Sequence, residues 1–98
     1  MNINAQREGN TLTIRPEGRI DTVTVPAFQQ GLEAELGDVD RLVIDFSKVS
    51  YISSAGLRVL LSAQKVMNKQ GKMFIRNVCP EIKEIFDVTG FADILTIV

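Results

Sequence analysis

Two adjacent serines, Ser53 and Ser54, are the side chains of this sequence best placed to do chemistry. They stand between a short apolar run, Leu42 to Phe46, and a longer apolar-rich stretch that opens at Leu57. The run reads as a strand and the stretch as a helix, so the serines fall where the helix begins. A serine there can cap the helix, its oxygen accepting a bond from an unpaired N–H of the first turn. It can also carry a phosphate, because that end of a helix offers free N–H donors and the positive end of the dipole. Spacing leaves both roles open. One N-cap is enough, so the second hydroxyl is not needed for that purpose. Ala55 and Gly56 follow. A glycine inside the first turn costs about 1 kcal/mol of helix stability relative to alanine. Something must favour it: the close approach of another backbone, of a partner or of a phosphate.

Other chemistry finds little support. Histidine is absent, which removes the commonest general base and the commonest metal ligand. A serine nucleophile would need a lysine or carboxylate base, and no local spacing offers one. Cys79 and the scattered carboxylates have no metal-ligand spacing. The glycines form neither a Walker-type nor a dinucleotide-binding loop, so no cofactor is expected. Arg58, Lys65, Lys69 and Lys72 make a basic strip without interleaved aromatics, which reads as a solvated helix face rather than a nucleic-acid surface. Asp21 and Asp45 lie near strand ends. Each can serve a site, or can be an ordinary loop residue (Asp21) or a turn acceptor (Asp45).

With 98 residues, 45% of them hydrophobic and 23% charged, the chain suits one globular domain over residues 1–98 with a modest core. A formal charge of -1 gives no global attraction to nucleic acid or to an anionic membrane. The single cysteine points to a reducing compartment, and Met1–Asn4 lacks a secretory n-region, so a cytoplasmic location is expected. No apolar run approaches the roughly 20 residues that would span a bilayer.

The elements that must position the serines follow in order. Ile3–Arg7 and Thr11–Pro16 read as a hairpin about Glu8-Gly9-Asn10, with Pro16 ending its strand or lying at an edge. A helix begins near Thr24 as N-cap with Pro26 in its first turn. It carries a stripe of Val25, Phe28, Leu32 and Leu36 and stops at Gly37. Leu42–Phe46 is the central strand, apolar enough to be covered on both faces. The helix after Ser54 has a broad apolar arc of Leu57, Val59, Leu60, Leu61, Ala63, Val66 and Met67, of which any excess over the core touches a neighbouring helix or a partner. Met73–Arg76 is a further strand. A third helix starts at Pro80, buries Ile82, Ile85 and Phe86 and ends at Gly90; Leu95–Val98 is a last short strand or an extended tail. The order β-β-α-β-α-β-α-β implies an α/β (α+β) fold: a mixed sheet of four or five strands with three helices grouped by right-handed connections.

The run Val43-Ile44-Asp45-Phe46-Ser47-Lys48-Val49-Ser50-Tyr51-Ile52-Ser53-Ser54-Ala55-Gly56-Leu57 resembles the signature of anti-sigma factor antagonists, the STAS domain family. Gly18-Arg19-Ile20-Asp21 resembles that family's glycine-x-hydrophobic-aspartate before the first helix. Gly71-Lys72-Met73 and Phe86-Asp87-Val88-Thr89-Gly90-Phe91 resemble its later turn and its ending, so the resemblance covers nearly the whole chain. It implies the STAS (SpoIIAA-like) fold, with its three main helices packed on one side of the sheet. It implies a binding protein rather than an enzyme. In the family, an anti-sigma factor that is also a serine kinase phosphorylates a serine at the start of the helix after the central strand. The unphosphorylated form binds that anti-sigma factor and frees the sigma factor, and a serine phosphatase resets the switch. Aligning on Gly56-Leu57 implies Ser54 as the acceptor, with Ser53 as second candidate. The implied contact surface is Asp21, Ser53, Ser54, Ala55, Gly56, Leu57 and Arg58. The typical motif is aspartate-serine-(serine or threonine)-glycine-leucine, so this sequence departs at Ser53, where the aspartate stands, and at Ala55, where the second hydroxyl stands. Those departures raise an alternative: a STAS adaptor or scaffold subunit of a signalling or transporter complex that is never phosphorylated. A weak homodimer through exposed parts of the helices is left open.

Overall fold

A computed structural model describes all residues, Met1–Val98. Five strands, β1 (Asn2–Glu8), β2 (Thr11–Ile20), β3 (Arg41–Asp45), β4 (Lys48–Ile52) and β5 (Lys72–Arg76), alternate with three helices, α1 (Val25–Glu33), α2 (Ser54–Gln70) and α3 (Pro80–Thr89). A single 3-10 turn, Phe91–Asp93, follows α3. β1 and β2 form the expected hairpin, antiparallel in unbroken register from Asn2 opposite Glu17 to Glu8 opposite Thr11. β3 pairs in parallel with β2, β5 in parallel with β3, and β4 in parallel with the far half of β2.

Alternation of buried and half-buried residues along the strands makes this sheet one-sided. Leu12 and Ile14 on β2 pair with Leu42 and Ile44 on β3, which pair in turn with Met73 and Ile75 on β5. All six are buried and form the floor of the core. The helices cover this face, with Phe28 and Leu32 from α1, Leu57, Leu60, Ala63 and Met67 from α2, and Ile82 and Phe86 from α3 all buried. Phe86 meets Phe46 with ring centroids 6.3 Å apart. Each of these side chains larger than alanine contributes about 1.5–3 kcal/mol on burial, against about 1 kcal/mol for a typical cap, so packing rather than capping holds the helices down. The opposite face carries Thr13, Val43 and Phe74, only half-buried. β3 is therefore covered on one face, contrary to expectation.

Three further expectations are corrected. Pro16 does not end its strand: β2 runs on to Ile20, and Gly18 (φ 98°) stands where its pairing to β4 shifts register. That left-handed φ is one that glycine adopts without strain. β4 is an additional strand, hidden in the sequence because Lys48 and Ser50 interrupt its apolar pattern. α1 ends at Glu33 rather than at Gly37, although Leu36 is still buried just beyond it. Of the two readings of Leu95–Val98, the extended tail is the one observed, held by one bridge, Ile75 to Ile97. Gly90 does end α3, in the left-handed conformation (φ 81°).

Long connections are tied by specific groups. The Gln70 side-chain amide donates to the carbonyls of Leu36 (2.8 Å) and Val39 (2.5 Å), fixing the α1–β3 loop to the end of α2. At Gly71 the Asp40 carbonyl comes so close that any Cβ would overlap it, which accounts for the glycine between α2 and β5.

Candidate functional site

β2 and β4 are parallel and end side by side, Ile20 opposite Ile52. The residues that follow them, Asp21 and Ser53, are therefore neighbours, and the Ser53 N–H donates to the Ile20 carbonyl at 2.8 Å. In parallel α/β sheets such carboxyl ends, where chains turn into helices, are the usual location of binding sites. The topology thus brings together Asp21 and the serine pair, which lie more than thirty residues apart in sequence.

Ser53 is the N-cap of α2. Its backbone is extended (φ −89°, ψ 171°), and its Oγ accepts from the Gly56 N–H at 3.3 Å. Ser54 is the first helical residue and is exposed; the capping bond is made by its neighbour. Ala55 is half-buried and Arg58, one turn beyond Ser54, is exposed. Residues four apart share a helix side, so Ser54 and Arg58 face solvent together. Gly56 and Leu57 point inward and leave the outer surface of this turn to Ser54, Ala55 and Arg58. The glycine also has its explanation. A Cβ at position 56 would lie 2.7 Å from both Ile20 Cγ2 and Ile52 Cγ1, so close packing of the helix start on the two strand ends demands glycine there.

Asp21 does more than line the turn. Its Oδ1 accepts from the N–H groups of Val23 (3.0 Å) and Thr24 (3.1 Å). Thr24 is the N-cap residue of α1 by position, as expected, while Asp21 caps the turn, residues 21–24, that leads into the helix. The Thr24 hydroxyl makes no cap bond: it accepts from the Asp21 N–H (2.9 Å) and donates to the Arg19 carbonyl (2.6 Å). The Thr24 N–H bond, helped by that from Val23, holds the Asp21 carboxyl below the usual carboxylate range, although burial works in the other direction. Oδ2 lies 3.6 Å from Arg19 Nε. The Arg19 guanidinium in turn sits over the Tyr51 ring, 4.3 Å from its centroid. Arg19 and Tyr51 were not singled out from the sequence; they meet only because β4 exists and pairs Tyr51 with Arg19.

Asp45 belongs elsewhere. Buried at the end of β3, it accepts from the Ser47 N–H (2.9 Å) and from the Asn77 side-chain amide (3.1 Å), and lies between Arg15 Nε (3.4 Å) and Arg76 Nε (3.5 Å). Burial pushes its carboxyl up, but the Ser47 and Asn77 hydrogen bonds and the Arg76 charge outweigh this and hold it at about 2. Its reading as a turn acceptor holds. No cluster of three or more metal-ligating side chains is present, and no helix is long and apolar enough to cross a membrane. The surface depressions include an apolar notch of about 40 Å³ between α1 and α2, lined by Leu32, Leu36, Val59 and Val66 among others, with room for little more than a water.

This architecture, with a hydroxyl-bearing helix start beside an aspartate, matches a known family. The STAS domain model matches residues 2–98, and the chain belongs to that family. Among its relatives, BtrV of Bordetella bronchiseptica, named as a candidate anti-sigma factor antagonist, is 42% identical over 77 residues, covering 72% of this chain and 66% of BtrV. The anti-sigma-B factor antagonist of Bacillus subtilis is 29% identical over 98 residues, covering 99% of this chain and 90% of that protein. The crystal structure of an anti-sigma factor antagonist from Mycobacterium paratuberculosis superposes with a TM-score of 0.90 at 24% identity, over 98% of this chain and 83% of that one. At that identity the likeness establishes the fold.

Proposed function

We propose that this chain is an anti-sigma factor antagonist: a single STAS domain, acting in the cytoplasm as a binding module rather than an enzyme. It binds an anti-sigma factor with serine kinase activity and releases it when Ser54 is phosphorylated; a serine phosphatase restores the binding form. One observation carries the reading. Ser54 is exposed at the first position of α2 while Ser53 does the capping, so its hydroxyl can be modified without loss of the cap. Asp21, Ser53, Ala55 and Arg58 surround it as the contact surface, with Gly56 and Leu57 fixing the turn from beneath.

A phosphate on Ser54 adds about −1.5 to −2 charge at a helix N-terminus, which the helix itself tolerates. A partner packed over the turn would have to desolvate that charge, and binding is lost. The protein therefore switches without unfolding. The test is affinity for the cognate anti-sigma factor, measured by calorimetry, of Ser54→Asp against Ser54→Ala. The alanine variant should bind as the wild type does and the aspartate variant at least about tenfold more weakly, a difference of about 1.4 kcal/mol. Equal affinities would overturn the reading.

A second reading has its own support: the first turn of α2 contains no acidic residue, Ser53 standing in place of the family's aspartate. On that reading the domain is an adaptor that is never phosphorylated. Incubation with ATP and the cognate kinase, read by intact mass, separates the two. One added phosphate supports the switch and none supports the adaptor.

A further inference from the structure

The two edges of the sheet are finished differently. At the β5 edge the C-terminal residues close the strand: the Ile75 N–H donates to the Thr96 carbonyl and the Val98 N–H to the Ile75 carbonyl, both at 2.9 Å. β1 has nothing on its outer side. It pairs only with β2, and all its residues are exposed except half-buried Ile3. Natural sheets guard such an edge with proline, lysine, a bulge or a covering element, because its free N–H and C=O groups template another strand. β1 reads Asn-Ile-Asn-Ala-Gln-Arg-Glu over seven residues, has unbroken register and carries no proline, lysine or bulge; its charges are confined to Arg7 and Glu8 at its end.

We infer that this edge, with the side of α1 above it, is a self-pairing surface through which two copies of the chain associate about a two-fold axis at Ala5. The sequence of β1 is compatible with pairing to itself. Antiparallel pairing centred on Ala5 sets Asn4 opposite Gln6, Ile3 opposite Arg7 and Asn2 opposite Glu8, so no like charges face each other. Like charges directly opposite one another would oppose the pairing, and this register avoids them. Arg7 brings no free charge to the seam, since its Nη1 lies 2.8 Å from Asp38 Oδ1 of the same copy.

The second layer fits the same operation. A Cβ on Gly31 would lie 3.1 Å from Ile3 Cδ1, so Gly31 marks the side of α1 that rests on β1. Ala27 and Ala34, four residues before and three after, share that side and are exposed. Small side chains there let a second α1 approach across the joined sheets, and a two-fold contact uses one patch twice. The matching of β1 to itself favours a second copy over a strand from another protein. The surface is made by β1 and α1 and does not include Ser54.

The test is sedimentation equilibrium of the full chain up to millimolar concentration, with Ala5→Lys, Ala5→Glu and their mixture. Each substitution sets like charges face to face on the axis while leaving an exposed position of the monomer, and far-UV circular dichroism confirms the fold. The wild type should dimerise reversibly. Each variant alone should weaken the dimer by about tenfold or more, and the mixture should form a one-to-one heterodimer. Ala27→Arg, on α1, should weaken it without touching the strand. A wild type that stays monomeric throughout, whether or not it accepts another protein's strand, overturns the inference. So do dimers that survive all three substitutions.

Discussion

Two places in this molecule are made from the carboxyl ends of parallel strands, and they are built to opposite ends. At the end of β3, Asp45 is buried, and donors from Ser47, Asn77, Arg15 and Arg76 converge on it. At the ends of β2 and β4, Asp21 and Ser53 satisfy the backbone of two helix starts and leave Ser54 and Arg58 facing solvent. The first place has little capacity left for a ligand. The second has its structural work done by the residues beside the reactive one. A strand end becomes a site when its capping is delegated to neighbours, and becomes a fastening when its carboxylate is surrounded.

The largest expected effect breaks the fastening. Asp45 has a folded-state value of about 2, depressed from an ordinary carboxylate. Its contribution to stability is therefore present at pH values above about 4 and is lost as the pH falls toward 2, when the carboxyl must be protonated. Each tenfold gain in acidity over the unfolded chain corresponds to about 1.4 kcal/mol, so roughly 2 kcal/mol is at stake. Urea unfolding of the wild type between pH 5 and pH 2 (roughly the window in which this carboxyl titrates) should show that loss. Asp45→Ala should be destabilised by about 2–4 kcal/mol at neutral pH, because the amide donors and Arg76 are left unpaired, and should lack this part of the acid limb. Asp21, being more exposed, should contribute far less to the same curve.

The next effect sharpens the comparison at the open end. Gly56→Ala should gain about 1 kcal/mol of helix propensity. The new Cβ, however, meets Ile20 and Ile52 at 2.7 Å, and both are buried. Overpacking of this kind costs about 1–3 kcal/mol, so the substitution should lower stability by about 1 kcal/mol net in chemical denaturation. An increase instead would mean that the glycine serves a partner and not the packing.

Gly56 also shows what the sequence could and could not convey. That something had to favour a glycine was legible from the first-turn position alone. That the something is two isoleucines was not, because Ile20 and Ile52 reach position 56 only through a register shift at Gly18 and a strand, β4, whose polar Lys48 and Ser50 mask its pattern. The strands β1, β2, β3 and β5 were legible, but the continuous apolar run of β3 suggested cover on both faces, whereas Leu42 and Ile44 face the core and Val43 is only half-buried. The serine turn was legible as well, because strand, hydroxyls and helix are contiguous. The Asp21–Ser53 pairing and the stacking of Arg19 on Tyr51 are tertiary facts, and no spacing within one segment encodes them. Thr24 misled for a local reason: it does stand one residue before the helix, but its hydroxyl is taken up by the Asp21 N–H and the Arg19 carbonyl, and Asp21 caps the turn that precedes α1.

The smallest expected effect distinguishes the two caps that meet at the open end. Asp21 makes two bonds, at 3.0 and 3.1 Å, with a carboxylate whose pKa they depress; Ser53 makes one, at 3.3 Å, with a neutral hydroxyl. Charge-assisted bonds are roughly twice as strong as neutral ones. Asp21→Ala should therefore cost more than Ser53→Ala, which should cost about 0.5 kcal/mol. Ser53→Asp should leave stability unchanged or raise it by about 0.5 kcal/mol, since aspartate caps as well as serine and its charge suits the helix dipole. Thermal unfolding of the three variants under one buffer condition gives the order. If Ser53→Ala proves the costlier substitution, Ser53 holds the turn more tightly than its long bond indicates, and the division of labour between Ser53 and Ser54 would have to be redrawn.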